Sequence, residues 1–538
     1  MVRNAFPQCT SIYMAILHSK LVKLNFTKGN KIIVKKFIGC FIMLSLLCMC
    51  LFPTSGHSSS KTQSIGFVKV DNTKVFSSPK LGSTLLKTLK KGEEFPIIST
   101  SVGDSAGPII HKVKSGNTLW KIANQYDVSV SELQKVNKLV SSEITVGQNL
   151  KIPQKYKIHK VVSGDTLWKI STKYKVTTSD LTKLNNLHTV TLKVGQKLKV
   201  PDYYYQVQLL GGKKGWIKKS QLQKKAQNRI VMGWKHNGSK ENDTQQLKQP
   251  NLNVVSPRSY TLTDTGNYVS VSVDTKYIQA AHKQGKQVWQ LIGNKFDPVL
   301  TGSVLGSTKK RQKLVSALRD SLVKTKSDGI NVDFENIDPK NKKHFVLFIG
   351  ELKKALKPHG IKVSVDVTRE NEDPFWSKSL DRKALGKIAD FIIIMGYDEH
   401  WGGSPVAGSV SSLPWIKEGT KLLMKEVPAH KIILAVPFYT REWVTDLSTK
   451  KVKSHDRTMA EVNKIISTQK LKKVWDKQTQ QNYVVYTSKG KKHQIWIEDK
   501  KSMKLRIDLV KQNHLGGAAA WYIGSETPDI WDVYHFNQ

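Results

Sequence analysis

Ser327-Asp-Gly-Ile-Asn-Val-Asp-Phe-Glu-Asn336 is the stretch that decides the fold. Taken as a strand, it alternates faces with a period of two. Ile330, Val332 and Phe334 share one face, and Asn331, Asp333 and Glu335 share the other. Buried charges need partners, so a purely structural strand does not set two carboxylates and an amide in a row. A barrel strand that ends in a reactive mouth does. Glu335, at the C-terminal end of the strand, stands where a barrel enzyme presents a general acid. The competing arrangement is an edge strand with a solvated acidic face. Gly329 and the apolar partner face suit a barrel interior better.

The surrounding sequence repeats the theme. From Arg229 onward, apolar runs alternate with helical stretches. The runs are 230–234, 252–255, 287–291, 329–335, 362–367, 391–395, 431–436 and 517–521. Helical patterns cover 309–324, 342–357 and 502–514. Such alternation implies a parallel sheet with crossover helices, and eight strands in about 310 residues suggest a closed (β/α)8 TIM barrel. A hairpin signal, Tyr483-Val-Val-Tyr486 and Gln494-Ile-Trp-Ile497 around a Lys/Gly turn, marks an insertion of about residues 443–498 before the last strand.

Residues 229–538 resemble glycoside hydrolase family 18. The resemblance rests on Asp328-Gly-Ile-Asn-Val-Asp-Phe-Glu335, on Met395-Gly-Tyr-Asp398 at the sixth strand and on Trp521 at the eighth. It is strongest toward LysM-bearing N-acetylglucosaminidases of spore-forming bacteria that act on cortex fragments. It implies substrate-assisted hydrolysis, in which the sugar's own 2-acetamido oxygen is the nucleophile. Glu335 would be the general acid and base, with a raised pKa. Asp333 would raise that pKa by like-charge proximity and hold the acetamido N–H. Tyr397 would donate to the acetamido oxygen, Asp398 would place that group, and Trp521 would floor the sugar. The family usually carries aspartate where this chain has Asn331, and the amide is expected to donate to Asp333. Glu399, His400, Trp401, Tyr439 and Arg441 are candidates to line the cleft. Asp328 and Gly329 are expected to be structural. No cofactor and no metal are expected.

Upstream lies an internal repeat. His111-Lys-Val-Lys-Ser-Gly-Asn-Thr-Leu-Trp-Lys-Ile122 recurs 48 residues later as His159-Lys-Val-Val-Ser-Gly-Asp-Thr-Leu-Trp-Lys-Ile170. Each unit reads strand, helix, helix, strand, with Asn117 or Asp165 as cap and first-turn residue. The units, 110–154 and 158–202, resemble LysM domains, which bind the N-acetylglucosamine backbone of peptidoglycan or chitin. That resemblance places glycan contacts at Gly116, Asn117, Thr118, Gly164, Asp165 and Thr166. Trp120 and Trp168 are expected to be packing residues rather than sugar platforms.

The flanks, 65–103 and 203–223, look like the two halves of a bacterial SH3 domain. The second half ends in Gly215-Trp-Ile217. One small β-barrel, split by the inserted LysM pair at the Val102–Pro108 loop tip, is therefore expected. The alternative is two unrelated β segments.

The start of the chain bears on location. Lys35 and Lys36 precede an apolar run from Phe37 to Phe52, followed by small polar residues. Residues 1–56 therefore resemble a signal-peptide region, the run being too short for a spanning helix. The alternative is a retained membrane anchor. Cleavage after Gly56 is expected, and Val34 is a candidate for the true start. The four cysteines, Cys9, Cys40, Cys48 and Cys50, all precede the cleavage point, so no disulfide framework is expected.

The formal net charge is +44 over 538 residues. A chain so basic seeks polyanions. The Lys and Arg residues are scattered rather than gathered in one arm, which favours anionic wall polymers over nucleic acid. The expected product is a secreted, wall-associated monomer, bound to glycan chains and free of any membrane span after signal cleavage. Chitin remains the alternative substrate. A lectin-like barrel without activity is the alternative of another class, and intact Glu335, Asp333, Tyr397 and Trp521 argue against it.

Overall fold

The computed structural model describes residues 62–79, 83–103, 106–126, 128–154, 156–235 and 245–536. The apolar run at 37–52, the cleavage site after Gly56, the start at Val34 and all four cysteines lie outside the described residues. No helix among the described residues is long and apolar enough to cross a membrane.

Four strands open this part: β1 (Thr62–Val68), β2 (Thr73–Phe76), β3 (Leu85–Leu89) and β4 (Glu94–Gly103). The first repeat follows as β5 (Ala106–Lys112), helices Leu119–Tyr126 and Val130–Asn137, and β6 (Asn149–Gln154). The second is β7 (Tyr156–Lys160), helices Leu167–Tyr174 and Thr178–Leu184, and β8 (Lys197–Gln208). Next come β9 (Lys214–Lys218) and β10 (Leu222–Asn228). The flanking segments share one sheet in the order β10-β1-β4-β8-β9-β2-β3. Its core draws on both sides of the repeats: Val68, Val75, Leu89 and Phe95 from the front, Tyr205, Val207, Ile217 and Leu222 from the back.

β8 serves two domains. Residues 197–201 pair with β7 and close the second repeat. Residues 202–207 pair with β4, and residues 204–208 pair with β9.

Each repeat is tied by a small polar latch. His111 lies 3.0 Å from the Tyr126 hydroxyl and 2.9 Å from Asn117 Oδ1. His159 repeats this with Tyr174 at 3.1 Å and Asp165 Oδ2 at 2.8 Å. Asn117 and Asp165 also accept from the amides of Lys114 and Val162. These acceptors are consumed by the loop, so the helix cap falls to the next residue. Thr118 and Thr166 each accept from the amide three residues on, at 3.1 Å. The expectation that Asn117 or Asp165 caps the helix is corrected accordingly.

The C-terminal domain is a closed barrel of eight parallel strands: β11 (Ile230–Lys235), β12 (Val254–Leu262, whose end pairs antiparallel with the short β13, Val269–Val271), β14 (Gln287–Gly293), β15 (Gly329–Asp333), β16 (Lys362–Thr368), β17 (Phe391–Met395), β18 (Ile432–Pro437) and, last in the chain, β24 (Gly517–Ile523). Pairing of β11 with both β12 and β24 closes the ring. Each of the eight apolar runs found in the sequence supplies one strand. Period two sorts the side chains. Ile330, Val332 and Phe334 join the layer between strands and helices, whereas Met232, Trp234, Trp289, Ile393 and Ala519 fill the barrel. Gly329 is required by packing, since a Cβ there would lie 2.6 Å from the Trp289 ring.

Between β18 and β24 rises a five-stranded antiparallel sheet: β19 (Tyr439–Asp446), β20 (Val452–Thr458), β21 (Val474–Asp476), β22 (Gln481–Ser488) and β23 (Lys491–Ile497). It begins at Tyr439, earlier than the boundary expected near 443, because only Phe438 separates β18 from β19 and no turn signal marks the change.

The split sheet docks on the end of the barrel where its strands begin. Gln208 Nε2 donates to the Asn513 carbonyl at 3.0 Å, and the Gly211 amide to the Met424 carbonyl at 2.7 Å. His430 Nε2, just before β18, lies 3.2 Å from Glu94 Oε2.

Candidate active site

The mouth lies at the opposite end, where the strands finish. β15 ends at Asp333, so Glu335 stands just beyond the ladder rather than on it. Its backbone is held instead by the Asn294 side chain, which accepts from the Glu335 amide at 3.1 Å and donates to the Glu335 carbonyl at 2.7 Å. Asn294 follows β14 and is 1% exposed, so the clamp is rigid.

The electrostatics suit an acid. Burial, Asp333 and Asp398 push the Glu335 carboxyl well above its ordinary value, against the pull of Arg258. Burial raises Asp333 to about 6, again opposed by Arg258. Arg258 on β12 lies against Gly293, the register partner of Asp333. A carboxyl with a raised pKa keeps its proton near neutrality and can donate it.

Asn331 is fully buried, one level below Asp333. Its Oδ1 accepts from Trp234 Nε1 at 2.7 Å. Its Nδ2 donates to Asp366 Oδ1 at 2.7 Å and to Ser364 Oγ at 3.2 Å. Both amide hydrogens are therefore committed to β16. The expected donation to Asp333 does not form, and Asn331 has no surface to offer a sugar. Period-two geometry explains this, because two residues along a strand is a full level of the barrel.

The sixth strand supplies Tyr397 and Asp398. Tyr397 stacks with Trp521 at 6.4 Å between ring centroids. Burial, with Asp366, Asp333 and Glu335 nearby, holds its hydroxyl protonated well above the usual range, which keeps it a hydrogen-bond donor. Asp398 adopts a left-handed backbone, φ 65°, a conformation that costs energy for a non-glycine residue and persists where surroundings enforce it. Its Oδ1 accepts from the Tyr439 hydroxyl and from Arg441 Nη1, both at 2.8 Å. Arg441 also reaches Asp456 at 3.1 Å and the His400 carbonyl at 2.8 Å. Tyr439 and Arg441 lie on alternate positions of β19, so the inserted sheet orients Asp398. Trp521 packs edge-on against Trp234 at 5.6 Å.

Trp401 is 61% exposed on the rim, beside Gly402, whose carbonyl takes Ser454 Oγ at 2.7 Å from the inserted sheet. Glu399 does not line the cleft. Its carboxylate accepts from the Ser412 amide at 2.7 Å and the Ser412 hydroxyl at 2.9 Å, which ties the loop after β17 to the following helix. Asp328 lies at the far end of the barrel, accepting from the Val288 amide at 2.8 Å with His282 Nε2 at the same distance.

Four residues of the site escaped sequence reasoning: Trp234, Arg258, Asn294 and Asp366. For Asp366 the signal was present. In Lys362-Val-Ser-Val-Asp-Val367 the polar Ser364 and Asp366 alternate with valines, the same pattern that singled out Asp333.

In the repeats, Gly116 and Gly164 take left-handed φ of 77° and 81°, which glycine adopts without strain. Asn117 and Asp165 are spent on the latch rather than free for a glycan. Trp120 and Trp168 are 65% and 68% exposed, which corrects the expectation that they pack inside. On their helices Leu119, Ile122 and Ala123, and likewise Leu167, Ile170 and Ser171, take the buried face.

Comparison with known proteins agrees with this geometry. The LysM domain model matches residues 111–153 and 159–201. The uncharacterized glycosylase YvbX of Bacillus subtilis (strain 168) is 29% identical over 293 residues, covering 52% of this chain and 83% of YvbX. A cortical fragment-lytic enzyme of Bacillus anthracis is 27% identical over 243 residues, covering 44% of this chain and 55% of that enzyme. This chain thus spans little more than half the length of the Bacillus anthracis relative. The crystal structure of the Bacillus cereus spore cortex-lytic enzyme SleL shares the fold, with a TM-score of 0.54 and 23% identity over 80% of this chain and 98% of that one. The model for glycosyl hydrolases family 18 matches residues 216–526, more than half of the sequence and the whole of the catalytic mouth, and the chain belongs to that family.

Proposed function

We propose that this chain is an exported cell-wall hydrolase that cleaves peptidoglycan next to N-acetylglucosamine by substrate-assisted, retaining hydrolysis. The observation that carries the proposal is the pairing of Asp333 and Glu335 at the end of β15, where burial raises both pKa values and the Asp333 charge raises Glu335 further. The resemblance of the barrel to a cortical fragment-lytic enzyme, together with two LysM modules, supports a peptidoglycan substrate.

In the first step the Glu335 carboxyl gives its proton to the leaving glycosidic oxygen as the C1–O bond breaks. The acetamido oxygen of the same sugar bonds to C1, forming an oxazolinium. Asp333, as an anion, accepts from the acetamido N–H. Tyr397 donates to the acetamido oxygen, Asp398 places that group within the hold of Tyr439 and Arg441, and Trp521 floors the sugar. In the second step Glu335, now a carboxylate, takes a proton from water. The water oxygen bonds to C1 from the face the leaving group vacated, and the acetamido group is released with configuration retained.

The LysM modules and the split sheet, which we take as an SH3-like domain, hold the protein on the wall outside the cell. The net charge of +44 adds attraction to anionic wall polymers, which salt weakens. Retention on purified walls should therefore fall as salt rises, and unchanged retention leaves the LysM modules as the whole explanation.

Product analysis on purified peptidoglycan tests the activity. New reducing ends at N-acetylglucosamine, lost in Glu335→Gln, are the expected result. Activity on chitin oligomers with none on peptidoglycan would assign the chain to chitin instead.

A further inference from the structure

Beneath Asp333 and Glu335 lies a third carboxyl that the mechanism above leaves unused. Asp366, on β16, is 3% exposed. Its Oδ1 accepts from Asn331 Nδ2 at 2.7 Å, and the opposite end of that amide is fixed by Trp234 Nε1 at 2.7 Å. The Trp234 bond settles which way the amide points, so Asn331 presents only N–H to β16. An amide so held has no proton to exchange with either carboxyl.

β15 and β16 run parallel with Asn331 opposite Ser364 and Val332 opposite Val365. The next inward positions on the two strands are Asp333 and Asp366, which makes them neighbours. Among the described residues, the titratable or charged groups facing this pair are Glu335 after β15, Tyr397 after β17 and Arg258 on β12. Of these, Arg258 carries the positive charge, and it acts on Asp333 and Glu335. Burial, then the Asp333 charge, push Asp366 well above the ordinary carboxylate range, against the hydrogen bond from Asn331. Two buried carboxyl groups that interact lose their protons in separate steps, so the pair keeps one proton where it would otherwise lose both.

We propose that Asp366 is the proton partner of Asp333, a positioning acid on the neighbouring strand that performs what an acid at position 331 would perform. It takes the proton when Asp333 ionises to accept the sugar's acetamido N–H, and returns it when the site resets. One carboxyl O–H bond breaks as the other forms, and the net charge of the pair does not change. This assignment rests on the substrate-assisted reading above.

The test compares the full chain with Asp366→Asn and with Asn331→Asp/Asp366→Asn. Asparagine retains an oxygen for the Asn331 amide, and melting temperature checks that the fold is kept. On purified peptidoglycan, Asp366→Asn should lower kcat at least roughly tenfold with KM within about twofold, and should move the acidic limb of the pH profile up, since the proton that Asp333 sheds no longer has a partner carboxyl to hold it. The double variant, which returns an acid to position 331, should recover most of that loss. An unchanged kcat and pH profile in Asp366→Asn overturns the proposal, and so does a loss that the double variant does not recover. If Asp366→Asn alone does not fold, the double variant decides, by retaining or lacking the wild-type profile. An infrared readout separates this inference from the activity itself. One protonated-carboxyl component at neutral pH in the wild-type chain, distinct from that of Glu335, which is identified by its loss in Glu335→Gln, should vanish in Asp366→Asn. Its persistence overturns the assignment whether or not the chain cuts peptidoglycan, whereas its loss in a chain that cuts nothing strikes only the proposed function.

Discussion

The side-chain amide of Asn294 closes both backbone hydrogen-bonding groups of Glu335, accepting from its N–H at 3.1 Å and donating to its carbonyl at 2.7 Å. The ladder of β15 has already ended at Asp333, so this borrowed pair of bonds holds the acid where a strand would otherwise have held it. Asn294→Ala removes both. A small displacement of a reacting group costs about 10²-fold in rate, and that loss is expected in kcat with KM little changed. A wild-type kcat in this variant would show that the clamp is dispensable.

The two raised carboxyls set the pH dependence. The proposed mechanism requires Asp333 ionised and Glu335 protonated. Activity should rise as Asp333 ionises at about 6 and fall as Glu335 loses its proton at higher pH, giving a bell-shaped profile. Arg258 lowers both values. Arg258→Met should therefore move both limbs upward, and a downward movement in the measured kcat/KM profile contradicts this electrostatic account.

Asp398 depends on the inserted sheet. Tyr439→Phe removes one of the two donors to its Oδ1 and leaves the Arg441 contact. Loss of one hydrogen bond to a charged group is worth about 1.5–3 kcal/mol, so kcat/KM should fall between roughly tenfold and roughly a hundredfold. Arg441→Met should cost more, because it also releases Asp456 and the His400 carbonyl. Steady-state kinetics on both variants checks the order of the two effects.

Exposed tryptophans on the two repeats predict a separation of stability from binding. Trp120 and Trp168 lie on the solvent side of their helices, so replacing both with alanine should leave the melting temperature within a degree or so. If each ring stacks on the wall glycan, each contributes about 1 kcal/mol, or roughly fivefold in affinity. Pull-down with purified walls should show a clear loss for the double variant. Undiminished retention would assign binding to the loops alone.

Much of this architecture was legible because period two is unforgiving. The strand that put Ile330, Val332 and Phe334 on one side had to put Asn331, Asp333 and Glu335 on the other. The same alternation at 362–367 placed Asp366 beside them, yet an acid inside a valine-rich run attracts less notice than one in an acidic motif. Roles that depend on local acceptors were harder to infer. Asn117, Asp165 and Glu399 sit in sequence contexts suited to ligand contact, but each is satisfied by a histidine, an amide or a serine that folding brings to it. The orientation of Trp120 was readable in principle. Leu119, Ile122 and Ala123 define one helical face, and the next residue after Leu119 must point away from it.

β8 has a mechanical consequence. One uninterrupted strand runs from the second LysM module into the split sheet, and its last residue, Gln208, bonds to Asn513 at the base of the catalytic barrel. There is no slack tether along that route. Tension applied to the module travels through a hydrogen-bonded ladder into the barrel instead of being absorbed by a coil. The gap between the second LysM module and the mouth of the barrel is thereby fixed by the fold, as in a gauge of set length.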